Sequence, residues 1–292
     1  MQKKVFVFII TYNIASSITH CLDSLSKQTF QNFELLIFDN NSSDDTVVVI
    51  ENYLEKNKQL NIKTKIIKNK KNLGFAKAVN VGLKKALANN KFYSALLLNP
   101  DTHFTENLLA NGVLTLEGDK EIGAALPKIL YPDGKIWWMG TKILSDRELL
   151  FSSNYSIVEH LNKRKVIKFH KDQILAIDAL TGCAVFFRLT AVKKIGLFDE
   201  KYFMYAEDID YSNRLKKAGY KIALFTNSAV FHEVQDRKMN FKVVRSSLRK
   251  YRIYLTSVGI YLLDNRPSYI FFIWLFKLPF VLIFNYSKRK KS

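Results

Sequence analysis

The chain is short of residues that cross-link or break a backbone. It has two cysteines and five prolines in 292 residues. Cys21 and Cys183 lie far apart and form no metal-like spacing, so the simpler reading is a reducing compartment. With 48% hydrophobic residues and so little proline, extensive disorder is excluded. No G-x-G-x-x-G follows the first apolar run and no Walker P-loop occurs anywhere, so the dinucleotide and P-loop fingerprints are absent. The apolar run 5–10 stops at Thr11-Tyr12-Asn13, too short for a signal peptide, and predicts a first strand and a cytoplasmic protein. The longest apolar stretch, 269–284, is broken by Lys277 and Pro279 and falls short of the ~20 residues a spanning helix needs.

What is abundant is positive charge, and it is uneven. The formal net charge is +19. The last 57 residues hold thirteen Lys and Arg against two Asp, while the other 235 hold 32 basic and 24 acidic side chains. This asymmetry predicts an anionic partner for the tail. The tail is also greasy: 242–254 mixes Arg and Lys with Leu, Val and Tyr, and 288–291 is wholly basic. An in-plane helix on an anionic membrane fits that pattern better than nucleic acid, whose stacking aromatics belong in grooves. A terminal helix docked on the preceding domain is the competing reading. The division predicted is a main domain over 1–235 and basic, apolar membrane-associating helices over 236–292.

Upstream, apolar strands alternate with helical spacings. Strands are predicted at 5–10, 33–38, 65–67, 96–98 and 182–188, and helices over 16–25, 46–54, from Phe75, over 191–195 and up to Ala218. This is the grammar of an α/β, Rossmann-like, mostly parallel doubly wound sheet. Ligands of such sheets sit beyond the carboxyl ends of the strands. There the chain places Asp39, in Asp39-Asn40-Asn41-Ser42-Ser43-Asp44, and Asp101, in Asn99-Pro100-Asp101. Asp101 either caps a helix starting near Thr102 or faces a metal or phosphate; Asp39 either forms a turn or contacts a nucleotide. Residues 127–175 are less regular, with a turn at Tyr131-Pro132-Asp133-Gly134 and a Trp137-Trp138 pair whose side chains point oppositely if extended. Lys163-Arg164-Lys165 reads as a solvated loop. Further on, Asp199, Glu200, Glu207, Asp208 and Asp210 cluster among aromatics at a helix start. The helix dipole or an Asp210–Arg214 pair accounts for part of that cluster. A carboxylate beside Tyr211 and Leu215, as Asp208 would be, suits a base of raised pKa.

Five stretches in order resemble the family 2 glycosyltransferases of GT-A fold, particularly the bacterial rhamnosyltransferase-like branch. They are Thr11-Tyr12-Asn13; 39–44; Asn72-Leu73-Gly74-Phe75-Ala76 with Asn80; Asn99-Pro100-Asp101; and Gly196-Leu197-Phe198-Asp199-Glu200 through Glu207-Asp208. The resemblance spans roughly residues 5 to 235. It implies inverting transfer of a sugar, rhamnose or another hexose, from a dTDP- or UDP-sugar to a hydroxyl of a lipid-linked or growing cell-surface glycan. It implies that Thr11, Asn13, Asp39, Asn72, Gly74, Phe75 and Asn99 bind the donor and that Asp101 holds Mg²⁺ or Mn²⁺, with His232 able to complete that site. Asp208 would be the general base, and Glu207 would orient the loop or acceptor. The first acid of the family's DXD motif is Asn99 here, which shifts metal binding onto Asp101. Peripheral attachment to the inner face of the membrane follows from the tail. A nucleotidyltransferase would need a Gly- and Arg-rich phosphate loop, which is missing. A non-catalytic membrane-surface or nucleic-acid-binding protein with a degenerate transferase domain is the alternative.

Overall fold

The computed structural model describes residues 3–57, 62–88, 90–151, 156–161, 173–233 and 241–289. The basic loop expected at 163–165, the 235/236 boundary and the final basic residues 290–291 lie outside them.

The first half is strand–helix alternation. It runs β1 (Val5–Thr11), α1 (Ile18–Ser26), β2 (Phe33–Asp39), α2 (Thr46–Lys56), β3 (Thr64–Lys68), α3 (Phe75–Leu87) and β4 (Ser94–Leu98). Every residue of β4 is buried, as are all but Ile10 of β1. Apolar strands without alternation form because both faces of the sheet are covered. α1 packs on α2, whereas α3 packs on a helix that comes later in the chain. Gly82 of α3 lets that helix approach closely: a Cβ there would meet the ring of Phe8 at 2.2 Å.

The second half is less regular. β5 (Thr102–Phe104), α4 (Leu108–Gly118), β6 (Ile122–Leu130), β7 (Ile136–Trp138), β8 (Thr141–Ile143), α5 (Asp146–Phe151), β9 (Val158–His160) and β10 (Ile174–Ala176) precede β11 (Ala184–Arg188). Then come α6 (Leu189–Ile195), α7 (Glu207–Lys217), β12 (Lys221–His232), α8 (Phe241–Asn265) and α9 (Ser268–Arg289). The main sheet has the order β10-β12-β6-β11-β4-β1-β2-β3. The pairs β4–β1, β1–β2, β2–β3 and β6–β12 are parallel; β11 is inserted antiparallel between β4 and β6. Six of the eight strands on this path therefore point one way, which makes the sheet mostly parallel.

One expectation fails locally. No helix starts near Thr102; Thr102–Phe104 pairs antiparallel with the end of β12, and α4 begins at Leu108. Thr102, His103 and Phe104 lie opposite His232, Phe231 and Val230, far along the chain, and Thr102 and Phe104 are β-compatible. That long-range pairing outweighs local helix signals. The 131–134 turn forms as predicted, with Gly134 N–H donating to Tyr131 O at 2.9 Å and Gly134 at φ +81°.

α8 docks on the α/β body. Ser257, Val258, Tyr261 and Leu262 are buried; Ser257 Oγ donates to Met204 O at 2.8 Å, and Asn213 Nδ2 donates to Tyr261 Oη at 2.7 Å. α9 buries Ile270 but exposes Tyr269, Phe272, Leu275 and Phe276, the last 74% accessible. Among the described residues, no helix is long and apolar enough to cross a membrane.

Candidate active site

At the carboxyl end of β1 and β2, Asp39 is 3% exposed and already engaged. It accepts hydrogen bonds from Thr11 Oγ1 (3.0 Å), Ser42 Oγ (2.6 Å) and Ser42 N (3.0 Å). A carboxylate offers about four lone-pair directions, so one is left for a ligand. Asn13, at φ +52°, accepts from Ser43 N through Oδ1 at 2.8 Å. Among the described residues its Nδ2 has no acceptor, leaving two N–H groups on the rim. Asp44 accepts from Thr46 and from Ala15 N, which ties this loop to the start of α2 and holds its carboxyl below the usual range against the effect of burial.

The third strand-end element, 72–75, is fastened to this loop by Asn40. Asn40 Nδ2 donates to Asn72 Oδ1 (3.1 Å) and Gly74 O (3.2 Å), and Asn40 Oδ1 accepts from Leu73 N (2.9 Å). Gly74 has φ +79° and ψ −177°, a conformation L residues avoid. A Cβ there would lie 2.5 Å from Phe203 O and 2.7 Å from its ring. Phe75 N donates to that same carbonyl at 2.6 Å. The 198–206 segment is thereby pinned over the start of α3. Asn80 adds a second pin, accepting from Phe198 N and donating to Phe198 O, both at 2.9 Å.

β4 delivers Asn99, whose backbone bonds to Cys183 O and Thr102 Oγ1, and then Asp101. Asp101 Oδ1 lies 3.3 Å from His232 Nε2 across the β5–β12 pairing. Among the described residues neither Asp101 Oδ1 nor His232 Nδ1, both buried, has a hydrogen-bond partner. The Trp137 ring stands edge-on to the His232 imidazole, centroids 4.4 Å apart, while Trp138 is buried and donates from its indole to Thr141. Glu233 N donates to Asp101 O, and its carboxylate reaches His20 at 2.7 Å and His103 at 3.3 Å. Among the described residues no group of three or more His, Cys, Asp and Glu is arranged as a complete metal cage. Cys21 and Cys183 are buried thiols beneath this end, both raised by burial, Cys21 to about 12, and act as packing.

α7 carries the acid pair. Tyr205 and Ala206, at φ +72° and +63°, place two consecutive non-glycine residues in the left-handed region immediately before it. Such residues cost on the order of 1–2 kcal/mol each and persist only where the surroundings hold them. Here the anchors are the Phe203 and Met204 carbonyls, bonded to α3 and α8. Glu207 is 5% exposed and Asp208 half-buried. Burial pushes Asp208 up to about 6 against the Ile209 N–H bond that lowers it; burial and the Asp208 charge push Glu207 up further. Asp210, in the same turn, is spoken for: Arg214 Nε donates to it at 2.9 Å. No described cation compensates Glu207 or Asp208, and among the described residues Glu207 Oε2 has no partner. Ser212 Oγ accepts from Leu180 N and donates to Asp208 O, which joins α7 to the 180–183 loop and hence to Asn99. The residues expected from sequence thus gather at one end of the sheet in three linked groups. Asn40, Phe203 and Trp137 join them; Asn40 and Phe203 lie within motif stretches and Trp137 does not.

The chain belongs to glycosyl transferase family 2, whose sequence model matches residues 6–194. Its fold is GT-A. The curated relatives it resembles include the N-acetylglucosaminyl-diphospho-decaprenol L-rhamnosyltransferase of Mycobacterium tuberculosis, 24% identical over 240 residues, 77% of this chain and 75% of that protein. Among solved structures, GalNAc-T7 with UDP, GalNAc and Mn²⁺ superposes with a TM-score of 0.64 at 18% identity over 80% of this chain; the match spans only 44% of that longer protein. The mannosyltransferase PcManGT of Pyrobaculum calidifontis, solved with GDP-Man and Mn²⁺, gives 0.62 at 17% identity, covering 97% of this chain and 74% of its own.

Proposed function

We propose that the protein is an inverting, metal-dependent hexosyltransferase that uses a nucleoside diphosphate sugar, dTDP- or UDP-linked, and glycosylates a hydroxyl of a lipid-linked or growing cell-surface glycan. The observation that carries this reading is the set of under-satisfied buried polar groups at one end of the sheet, taken among the described residues: Asp101 Oδ1, which meets only the His232 imidazole, and His232 Nδ1, both without a hydrogen bond, on one side, and the Glu207–Asp208 pair, without a compensating cation, on the other. Buried polar groups without partners cost free energy and mark functional sites. The M. tuberculosis relative, which acts on a diphosphodecaprenol-linked sugar, supports the acceptor class.

Thr11, Asn13 and Asp39 floor the nucleoside pocket, with the free amide of Asn13 facing a base carbonyl. Asn72, Gly74, Phe75 and Asn99 shape the passage from nucleoside to sugar. Asp101 and His232 fit a divalent cation, since two protein ligands plus substrate phosphate oxygens are the usual arrangement for such ions. One imidazole in the pair favours Mn²⁺ over Mg²⁺, whose ligands are almost all oxygen. When bound, the ion offsets negative charge on the departing diphosphate. Asp208 accepts the proton of the acceptor hydroxyl as that oxygen bonds to the anomeric carbon; the bond from this carbon to the diphosphate oxygen breaks on the opposite face, inverting the centre. Glu207, more buried and pushed up by burial and by the Asp208 charge, holds the acceptor or the loop. The exposed aromatic stripe of α9, the exposed Phe151 and the basic tail support attachment to the anionic inner face of a membrane. Binding to anionic vesicles should weaken as salt rises; full-length protein that ignores such vesicles at moderate salt would count against attachment.

A thermal-shift panel of UDP-, dTDP- and GDP-sugars with and without Mn²⁺ tests the donor site. Stabilisation by one nucleotide class only with metal is expected. No shift with any of them would favour a non-catalytic protein with a degenerate transferase domain.

A further inference from the structure

A cleft of about 320 Å³ lies between α8 and the 201–203 segment. Its walls include Lys201, Phe203, Arg249, Arg252, Ile253 and Ile260. Lys201 is answered by Asp264 at 2.7 Å and Asp199 at 3.0 Å, so its charge is largely spent. Arg249 and Arg252 are exposed in the lining and form no ion pair with a described residue. Phe203, across from α8, and Ile253 and Ile260, on α8 itself, supply the apolar part of the lining. Two guanidinium groups beside aliphatic and aromatic surface match an amphiphilic anion: forked N–H donors suit phosphate, and the rest suits hydrocarbon.

The position of this cleft gives it meaning. Phe203, which lines it, covers Gly74 and accepts from Phe75 N on the donor side. Ser257, also in the lining, holds Met204 O, immediately before the left-handed pair that presents Glu207 and Asp208. The cleft therefore opens on the back of the loop that carries the acids. We propose that it is the subsite for the phosphate-bearing, lipid-proximal part of the acceptor, an isoprenyl-type phosphate or diphosphate, with the acceptor sugar reaching round the loop to Asp208. This rests on the lipid-linked acceptor reading above.

The test uses the full-length protein in detergent, with farnesyl diphosphate as probe and farnesol and inorganic pyrophosphate as the two halves of its chemistry. Farnesyl diphosphate should bind at least tenfold more tightly than either half, and Arg249→Gln/Arg252→Gln should weaken it at least tenfold. Nucleotide-sugar binding in the presence of Mn²⁺, measured on the same preparations, should not change. Equal affinity of wild type and double variant, or pyrophosphate binding as tightly as farnesyl diphosphate, overturns the subsite. Intact donor binding with no farnesyl diphosphate binding sinks the subsite alone, whereas loss of donor binding in the wild type sinks the transferase reading. If the double variant fails to fold, Arg252→Gln and Arg249→Gln singly, on the solvent-facing side of α8, supply the same comparison.

Discussion

On the β1–β2 side of the site nearly every polar side chain has a partner within the chain; on the α7–β12 side, among the described residues, Asp101 Oδ1, His232 Nδ1 and Glu207 Oε2 are buried without a hydrogen bond, Asp101 Oδ1 meeting only the His232 imidazole at 3.3 Å. Asp39 has three donors and Asn40 three contacts, and this rim is tied together by bonds within the chain. The other rim stores cost in orphaned acceptors, raised carboxyl pKa values and two left-handed residues. Preorganised binding needs the first arrangement, because ordering is completed during folding. Proton transfer and cation capture need the second, because a group already satisfied has nothing left to offer.

The sharpest way to break this contrast is Asp208→Asn. Turnover should fall by about 10²–10⁴-fold, the usual worth of a general base, while donor binding and melting temperature hold. Near-normal turnover would remove Asp208 as the base. Next, Asp101→Ala should abolish most of the Mn²⁺-dependent gain in donor affinity and leave metal-free binding unchanged; an unaltered metal titration would end its ligand role. On the satisfied rim the expected losses are in stability. Asn80→Ala strands Phe198 N and O at about 1–3 kcal/mol for each buried group left unpaired, visible as a lower denaturant midpoint, and an unshifted midpoint would show that water replaces the amide there.

The smallest effects concern pH. The rate should fall below pH about 6 as Asp208 takes up a proton; a flat profile between pH 5 and 7 would contradict that. Glu207 is raised above its ordinary 4.5 in the folded state, so the fold binds a proton that the unfolded chain releases. Its contribution is thus present at low pH and is lost as pH rises from about 4.5 through the raised value. Glu207→Gln removes this slope, and its melting temperature should gain on the wild type from pH 5 to 8. Parallel curves would mean that Glu207 is already relieved of its burial.

Much of the site could be read in the chain because the residues concerned are local. Asn99-Pro100-Asp101 ends an apolar strand, Gly74 opens a helix where only glycine tolerates φ +79°, and Asp208 precedes Tyr211 and Leu215 by helical spacing. Trp137 against His232 was not readable, since a half-buried tryptophan in an irregular stretch has no local signature for its partner. The tail was ambiguous for a similar reason. An apolar, basic helix looks alike whether it meets a protein or a lipid, and α8 buries Val258, Tyr261 and Leu262 on the domain while α9 leaves Phe272 and Phe276 outside.

By itself, then, the sequence determined the alternation of strands and helices, their mostly parallel sheet and the strand ends at which chemistry gathers, because periodicity and breakers act within a few residues. Only the tertiary structure decided that Thr102–Phe104 pairs with β12 rather than starting a helix, and that Asp101 thereby meets His232. It also decided which acid of the 207–210 group is paired and which are left bare. Those outcomes depend on contacts between residues far apart in the chain, where packing and desolvation outweigh local preference.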